Sequence, residues 1–296
     1  MAVKKREIPK PPKAKGKPKG PASARPPAAP KAKATAIPAK DFMIADWDSS
    51  KDGKRILLYG ESGMGKTTLA SLAPKPVFIG VDDGGKLLIN AAGNKLRHVP
   101  GVECFGDVRA AMLADIYQDD ETVVLDQATY LEEWAVTHIL ATITNDKGAK
   151  MDNIIRYGYN KGYRHMYDTM KLILQDADSL IHRGKNVIII AQMAPNKVAN
   201  PGGEDFLREG PRLFSGTPSI EALYCEWADH IFRIGYQFLS VDNRKVTGGE
   251  NKRAVFVHPQ PHFRAKSRTL GPDKAVVAFD DPKDNSIWTF LFEEGG

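Results

Sequence analysis

The sequence predicts an α/β fold with a mainly parallel central sheet, and two observations support that class. From Arg55 onward, short apolar runs alternate with longer amphipathic stretches, which is typical of a parallel sheet covered by helices. The short runs are rich in Val and Ile and apolar at nearly every position, as expected of strands buried on both faces. The candidate strands are residues 56–59, 77–81, 102–105, 122–125, 187–191 and 230–234.

Two helices and an antiparallel C-terminal part complete the prediction. Apolar residues recur on one helical face between Met166 and Ile181, and Gly184 follows as a stop signal. Val108, Met112 and Ile116 predict a shorter helix. After residue 234 the period changes to two. Residues 238–246 and 253–258 are predicted to form a hairpin around Gly248-Gly249, followed by strands 275–279 and 287–292.

Three long stretches have no clear assignment: residues 84–100, 144–164 and 195–217. The first is expected to begin with a helix. Loops of this length inside a compact domain are usually functional or disordered.

The charge of the chain is unevenly distributed. Residues 1–40 contain twelve Lys and Arg against one Glu, whereas the whole chain carries a formal net charge of only +6. The tail therefore carries +11 and the remaining residues −5. The tail also holds nine of the 20 Pro and few large aliphatic residues, so we expect it to be disordered. We divide the chain into a disordered basic Lys/Pro/Ala-rich tail, residues 1–40, and one domain, residues 41–296.

Several classes of protein are not expected. No apolar run approaches the roughly 18–20 residues of a membrane span, and the N-terminus lacks a signal-peptide pattern. We therefore expect a cytoplasmic protein without a membrane partner. Cys104 and Cys225 are too far apart for a CxxC metal site, so both are interpreted as small core residues. The seven His suggest neither a hydrolase triad nor a zinc site.

One motif predicts a nucleotide-phosphate site. It fits G-x-x-x-x-G-K-[ST], follows the strand at 56–59 and precedes the helix-compatible run 67–72. Its glycines would let backbone N–H groups face the phosphates, while Lys66 reaches the β- and γ-phosphates and Thr67 supplies a hydroxyl to Mg²⁺. The alternative is a chance glycine-rich turn. The candidate nucleotide-binding residues are Gly60, Glu61, Ser62, Gly63, Met64, Gly65, Lys66, Thr67 and Thr68.

Carboxylates at strand ends complete the predicted site. Asp126 follows the strand at 122–125 and is expected to hold Mg²⁺ through water, although capping of the following helix is an alternative. Because Gln127 comes next, the base that activates water must lie elsewhere. Asp83 and Asp82 are the best candidates, with a polar turn as the alternative and Glu61 as a weaker choice. The GTPase pattern Asn-Lys-x-Asp does not occur in the sequence, so ATP is the expected nucleotide.

Together these residues resemble the RecA-like P-loop ATPases, and most closely the phage nucleotide-binding proteins of the single-strand-annealing (Sak) group. The resemblance covers about residues 53–275 and implies a RecA-like P-loop NTPase fold. It implies that Gln192 senses the γ-phosphate and that Ala228-Asp229-His230-Ile231 begins a further strand. The chain departs from the family at Asp83, where Glu is more frequent, and in its basic tail.

The same resemblance implies that Lys266 and Arg268, a Lys-x-Arg element, act on the nucleotide of a neighbouring subunit. The two residues lie two apart on a strand-like segment, so their side chains would share one face. Cations reaching a phosphate from another subunit would make hydrolysis depend on assembly, as an arginine finger does. The alternative is a solvated basic edge strand.

Cations and aromatic residues mix in the unassigned stretch 144–164, which suits single-stranded nucleic acid, and the stretch 195–217 carries further cations. The resemblance places DNA contacts in both. The alternative for 144–164 is that its tyrosines pack the helix start, and in 195–217 the cations are opposed by Glu204, Asp205 and Glu209. The candidate nucleic-acid residues are Arg156, Tyr157, Tyr159, Lys161, Tyr163 and Arg164 in the first stretch, and Lys197, Arg208 and Arg212 in the second.

These interpretations lead to one expected function. The chain would bind and hydrolyse ATP with Mg²⁺ and act on single-stranded DNA in recombination or annealing, as a homo-oligomer in the cytoplasm (of the host, if phage-encoded). The resemblance also admits a single-strand-binding protein as a partner. The basic tail would contact nucleic acid without base readout, or would only solubilise the chain. The alternative functions are a nucleotide-gated DNA-binding scaffold with negligible turnover, a small-molecule kinase and a helicase-type motor.

Overall fold

The computed structural model describes residues 44, 46, 51–81, 84–90, 93–237, 240–242, 245–247 and 252–294. The fold described below belongs to the unit Asp48–Gly296. Its strands are β1 (Arg55–Gly60), β2 (Pro76–Gly80), β3 (Thr122–Asp126), β4 (Asn186–Val198), β5 (Phe206–Pro211), β6 (His230–Tyr236), β7 (Ser240–Asp242), β8 (Lys245–Thr247), β9 (Arg253–Phe256) and β10 (Val276–Ala278). Its α-helices are α1 (Lys66–Ala70), α2 (Phe105–Leu113), α3 (Ala128–Thr142), α4 (Lys161–His182), α5 (Ile220–Trp227) and α6 (Ser286–Thr289).

Five parallel strands form the centre of the sheet, in the order β6-β1-β4-β3-β2. β9 continues the sheet antiparallel to β6, and β10 pairs with β9, while β5 pairs antiparallel with the second half of β4. β7 and β8 form a separate two-stranded hairpin. The predicted α/β class, with a mainly parallel sheet and antiparallel C-terminal strands, is confirmed.

Helices cover both faces of the sheet. Alternate residues of β1 enter two apolar clusters: Leu57 and Tyr59 pack with α2, α3, α4 and α5, and Ile56 and Leu58 pack with α1 and α6. All four side chains are fully buried. Because central strands such as β1 and β3 are buried on both faces, their sequences are continuously apolar rather than alternating, which is the signal that predicted the sheet.

The helix predicted between Met166 and Ile181 is confirmed as α4. Its apolar side chains recur on one face and are buried against β1, β3 and α3. Gly184 follows the helix with a φ of 78°, the left-handed conformation that glycine adopts without strain. The other predicted helix is confirmed as α2, but it ends at Leu113, so Ile116 lies outside it and is half exposed.

Two predicted strands are wrong. Residues 102–104 are irregular, and α2 begins at Phe105, where Cys104 and Asp107 form a capping box. Residues 287–292 are helical, because α6 continues into the π-helical turn Phe290–Glu294. Ile287, Trp288 and Leu291 are all buried, and their spacing of i, i+1 and i+4 places them on one face of a helix, whereas neighbouring residues of a strand point to opposite faces.

The predicted hairpin is also wrong in its pairing. The observed hairpin pairs β7 with β8, while Gly248-Gly249 lies outside the described residues. β9 pairs instead with β6 and β10.

Of the three unassigned stretches, 84–100 begins with a 3₁₀ turn at Gly84–Leu87, and 144–164 contains another at Ile154–Tyr157. Much of 195–217 is the β4–β5 ladder.

The structure also bears on the two cysteines and on possible membrane-spanning helices. Both cysteines are free; Cys225 is buried as predicted, but Cys104 is exposed at the start of α2, so its assignment to the core is wrong. Within the described part of the chain, each helix is too short or too polar to cross a membrane.

Candidate functional site

The phosphate motif forms a tight loop between β1 and α1, at the carboxyl edge of the parallel strands. Gly63 and Gly65 have φ angles of 79° and 94°, so the loop requires residues that tolerate the left-handed region. The Lys66 ammonium is buried under the loop and donates to the carbonyl oxygens of Gly60 at 3.0 Å and Glu61 at 2.7 Å. The sequence pattern therefore forms a compact cradle with a cation at its centre.

Thr67 and Asp126 meet at the opening of this cradle. The Thr67 hydroxyl donates to Asp126 Oδ2 at 2.7 Å, although the two residues lie 59 positions apart. Asp126 is 5% exposed at the carboxyl end of β3. A hydroxyl and a carboxylate oxygen are hard ligands of the kind that Mg²⁺ prefers, so these residues fit the predicted metal.

Gln192 joins the same cluster, because β4 lies between β1 and β3 in the sheet and Gln192 is level with Gly60. Its side-chain oxygen accepts from the Lys66 ammonium at 3.1 Å. The parallel order of the strands therefore brings Lys66, Thr67, Asp126 and Gln192 together at one edge of the sheet. All four were singled out from sequence.

The predicted base lies outside the described residues, since Asp82 and Asp83 are not among them. A cavity of about 650 Å³ has Gly80 and Asp126 in its wall. Its rim includes the exposed side chains of Lys86, Lys95 and His98. Ligands of open α/β sheets bind at the carboxyl ends of the strands, and this cavity lies there.

Arg253 is a residue of the site that sequence reasoning missed. It lies on β9, donates from Nη1 to the carbonyl oxygen of Met64 at 3.2 Å, and covers the ring of Phe279 at 4.9 Å. A side chain at Gly65 would come within 2.9 Å of this guanidinium. Arg253 therefore adds a second cation to the phosphate loop, but no local motif marks it, because the antiparallel C-terminal strands bring it there.

Lys266 and Arg268 lie away from this cluster. Lys266 forms a single bridge to Ile231, near the amino end of β6, so the predicted strand-like segment is reduced to one bridge followed by a bend. The Lys266 ammonium donates to carbonyl oxygens at the C-terminal end of α5, those of Cys225 at 3.3 Å and of Ala228, and burial lowers its pKa. Arg268 pairs with Asp229 at 3.0 Å. Neither cation reaches the phosphate loop of its own chain.

The first candidate nucleic-acid stretch is partly exposed and partly packed. Arg156 and Arg164 are exposed cations that pair with Asp152 and Asp168 four residues away on the surface, and Lys161 is exposed and pairs with Asp146. Exposed pairs of this kind contribute little to the free energy of folding, so they leave the cations available to phosphates.

The tyrosines of this stretch have different roles. Tyr159 is fully exposed, as stacking on a base requires. Tyr157 is 8% exposed, donates to the carbonyl oxygen of Ile143 at 2.7 Å and packs its ring against His165 near the start of α4, so its ring is not open to a base. Tyr163 stacks on Phe214 with ring centroids 4.7 Å apart, which joins the two candidate stretches.

The second stretch carries its cations on and after the β4–β5 ladder. Lys197 pairs with Asp205 at 2.8 Å, whereas Arg208 donates to the carbonyl oxygen of Pro261 at 3.0 Å. Arg212 is exposed, and its backbone N–H donates to the Gln192 carbonyl oxygen at 2.7 Å. Glu209, which sequence reasoning set against these cations, pairs instead with Arg233 of β6 at 2.6 Å.

Glu132 on α3 is a second residue that sequence reasoning missed. Its carboxylate accepts from the Phe214 backbone N–H at 2.8 Å, and burial raises the pKa of Glu132 to about 7. The carboxyl group therefore changes its charge near neutral pH beside the segment that joins the two candidate stretches.

The site consists of a glycine-rich loop that leads from a parallel strand into a helix, with a lysine in the loop and a carboxylate on a second strand. This arrangement is typical of P-loop nucleotide-binding proteins. Residues 52–269, more than half of the chain, match the AAA domain family. The chain belongs to this family. P-loop ATPases generally use a nucleotide together with Mg²⁺, and the site residues fit both. No curated protein sequence matches this chain significantly.

Solved structures with some similarity include a KaiC-like protein from Pyrococcus horikoshii OT3 (14% identity, 77% of this chain and 90% of that one covered, TM-score 0.40). Others are the flagellar accessory protein FlaH from Methanocaldococcus jannaschii (11%, 77% and 85%, TM-score 0.39) and the RadB recombinase (12%, 79% and 90%, TM-score 0.42). Because all three TM-scores lie under 0.5, these likenesses establish nothing about the function of this chain.

Proposed function

We propose that this protein hydrolyses ATP and acts on single-stranded DNA, in recombination or annealing, as an oligomer. The observation that carries the proposal is the cluster of Lys66, Thr67, Asp126 and Gln192, whose side chains come together at the phosphate loop from three separate segments of the chain. Such a cluster suits phosphoryl transfer, where the protein mainly positions the reactants and stabilises charge.

In the proposed reaction, a water oxygen forms a bond to the γ-phosphorus, and the bond from this phosphorus to the bridging oxygen of ADP breaks. Asp83 or Asp82 would accept the proton of the water. Lys66 would stabilise the negative charge on the phosphates, and Gln192 would contact the γ-phosphate. Bound with ATP and held by Thr67 and Asp126, Mg²⁺ would neutralise further phosphate charge.

The position of Gln192 supports the proposal of single-stranded DNA as partner. This residue lies at the phosphate loop, and the strand that carries it runs directly into the second candidate stretch. The first stretch joins the second through the stacked rings of Tyr163 and Phe214. Exposed cations and the exposed ring of Tyr159 give this region the combination that binds single strands through phosphates and base faces.

The test is phosphate release with and without a single-stranded oligonucleotide. Replacing Lys66 with Ala removes the central cation, and we expect turnover to fall on the order of 100-fold or more. Lys75→Ala is the matched control, since Lys75 is an exposed lysine at the amino end of β2. Turnover in Lys66→Ala equal to that of the control would disprove the assignment of the site.

Further variants test the two proposed partners, single-stranded DNA by binding titration and a neighbouring subunit by phosphate release. Tyr159→Ala should weaken single-strand binding about 5- to 100-fold while Tyr159→Phe retains it, because stacking on one base contributes about 1–3 kcal/mol.

Arg268→Ala should lower turnover only at protein concentrations that support assembly, as expected of a cation that acts on a neighbouring subunit. If Arg268→Ala and Lys266→Ala both leave turnover under assembling conditions unchanged, the proposed action in trans is excluded.

DNA binding and strand displacement, measured beside phosphate release, separate the alternative functions. A nucleotide-gated scaffold would show ATP-dependent DNA binding without phosphate release, and a helicase-type motor would displace a complementary strand.

A further inference from the structure

Thr129 holds together three segments that surround the candidate site. It lies in the first turn of α3, three residues after Asp126, and is 5% exposed. Its hydroxyl accepts from the Gln192 backbone N–H at 3.0 Å and donates to the Arg212 carbonyl oxygen at 3.1 Å. The Arg212 N–H in turn donates to the Gln192 carbonyl oxygen at 2.7 Å.

These bonds act where β4 leaves the parallel sheet. Up to Ile190 the strand pairs with β3, and from Met193 onward it pairs with β5. The Gln192 amide lies between the two ladders, and the Thr129 hydroxyl satisfies it. Since the Gln192 side chain contacts the Lys66 ammonium, the orientation of this contact depends on how Thr129 holds the backbone.

One turn further along α3, Glu132 holds the same segment. Residues three apart lie on one helical face, so Thr129 and Glu132 both face residues 212–214. The Glu132 carboxylate accepts from the Phe214 N–H at 2.8 Å, and the Phe214 ring stacks on Tyr163. A continuous set of contacts therefore leads from the Lys66 ammonium to both candidate nucleic-acid stretches.

We propose that Thr129 is a positioning residue that couples nucleotide binding at Gln192 to the segment Arg212–Phe214, and through it to the single-strand-binding stretches. The proposal rests on the proposed function and adds the residue through which DNA regulates turnover. A movement of the Gln192 backbone must move or break the bonds of the Thr129 hydroxyl, because this hydroxyl is buried and its single O–H is already donated to the Arg212 carbonyl oxygen.

The variants follow from this bonding. Thr129→Val keeps the shape of the side chain but removes both hydrogen bonds, and Thr129→Ser keeps the hydroxyl and removes only a methyl group. Thr137→Val is the matched control on the same helix, since the Thr137 hydroxyl is exposed and donates to the Glu133 carbonyl oxygen four residues earlier. Thermal unfolding of each variant verifies that it is folded.

The kinetic experiment measures phosphate release against ATP concentration, with and without a dT homopolymer. In Thr129→Val we expect the stimulation by DNA to disappear and kcat to fall, with KM for ATP changed less than about threefold, because the phosphate loop is untouched. Thr129→Ser and Thr137→Val should behave as the wild type. Full DNA stimulation in a folded Thr129→Val variant would overturn the proposal.

Hydrogen exchange of the Gln192, Arg212 and Phe214 amides provides a second measurement that needs no turnover and no DNA. In the wild type and in Thr129→Ser, adding ADP or a non-hydrolysable ATP analogue should change the exchange at Arg212 and Phe214. In Thr129→Val the change in exchange should be confined to residues near the phosphate loop.

If nucleotide leaves the exchange of the Arg212 and Phe214 amides unchanged in the wild type, the coupling does not exist, whether or not the protein hydrolyses ATP. If turnover is absent but the exchange responds, the proposed ATPase function fails and the coupling stands.

Discussion

Asp126 and Thr67 show, at the scale of single residues, how distant parts of the chain build one site. Their hydrogen bond joins the end of β3 to the start of α1, and the bond from Lys66 to Gln192 joins the phosphate loop to β4. Asp126 and Gln192 are held by the strands β3 and β4, whereas Lys66 and Thr67 lie at the start of α1, directly after β1 and the phosphate loop. Nucleotide affinity should therefore be sensitive to the packing of β1, β3 and β4.

The pKa of Glu132 leads to a prediction about pH. Burial raises this pKa to about 7, against about 4.3 for an exposed Glu in an unfolded chain. Between these two values the folded state binds more protons than the unfolded state. The contribution of Glu132 to the free energy of unfolding is therefore largest at or below pH 4.3 and falls as the pH rises to 7.

Glu132→Gln should remove this pH dependence, because the amide keeps an oxygen for the Phe214 N–H but cannot ionise. Between pH 5 and pH 8 the wild type should lose more stability than the variant, by at most about 3 kcal/mol. Denaturant unfolding at both pH values measures the difference. The charged or titratable groups facing Glu132 are Glu133, Arg212 and Tyr224, none of which changes in the variant. Equal decreases in the two proteins would show that Glu132 titrates normally.

At the scale of elements, the phosphate loop allows a comparison between two glycines. Gly63 and Gly65 both have positive φ, but a side chain at Gly63 would meet no atom within 4 Å, whereas one at Gly65 would meet Arg253 at 2.9 Å and Phe279 at 3.2 Å. Gly63→Ala should therefore cost about 1–2 kcal/mol of stability from backbone strain alone.

Gly65→Ala should cost more, because the Arg253 guanidinium must also leave its position against Met64 and Phe279. The extra cost is about 1.5–3 kcal/mol for one charge-assisted hydrogen bond, with a matching decrease in ADP affinity. Urea unfolding and an ADP titration of both variants measure the two effects. Equal effects in Gly63→Ala and Gly65→Ala would show that Arg253 has no part in the loop.

Elements differed in how well the sequence predicted them. α4 was predictable because it is long and its apolar residues repeat on one face, and β1, β3 and β4 because they are continuously apolar. Residues 287–292 were not, since a short apolar run fits a helix or a strand and only the packing of Trp288 decides. The indole of Trp288 donates to the Leu69 carbonyl oxygen at the end of α1, a contact between distant parts of the chain.

At the scale of the whole molecule, the charge of +11 on residues 1–40 against −5 on the rest predicts a function for the tail. Deleting residues 1–40 should weaken binding to single-stranded DNA and lower the slope of log K against log salt by about 0.7 for each phosphate that the tail neutralises. Phosphate release without DNA should not change, because the site lies in the domain. Binding titrations at several salt concentrations measure the slope. An unchanged slope would mean that the tail only solubilises the chain.

The sequence by itself determined the α/β class and the residues of the phosphate site, because both depend on local patterns. Buried strands are apolar at every position, and a phosphate loop needs glycines, a lysine and a hydroxyl at fixed spacing. Only the tertiary structure decided that Gln192 contacts Lys66 and that Arg253 lies against the phosphate loop. It also decided that Tyr157 is buried while Tyr159 is exposed, and that Thr129 joins β4 to Arg212. These contacts depend on which strands become neighbours in the sheet. Because contacts between distant segments follow from the packing of the whole chain, they leave no pattern in any one stretch of sequence.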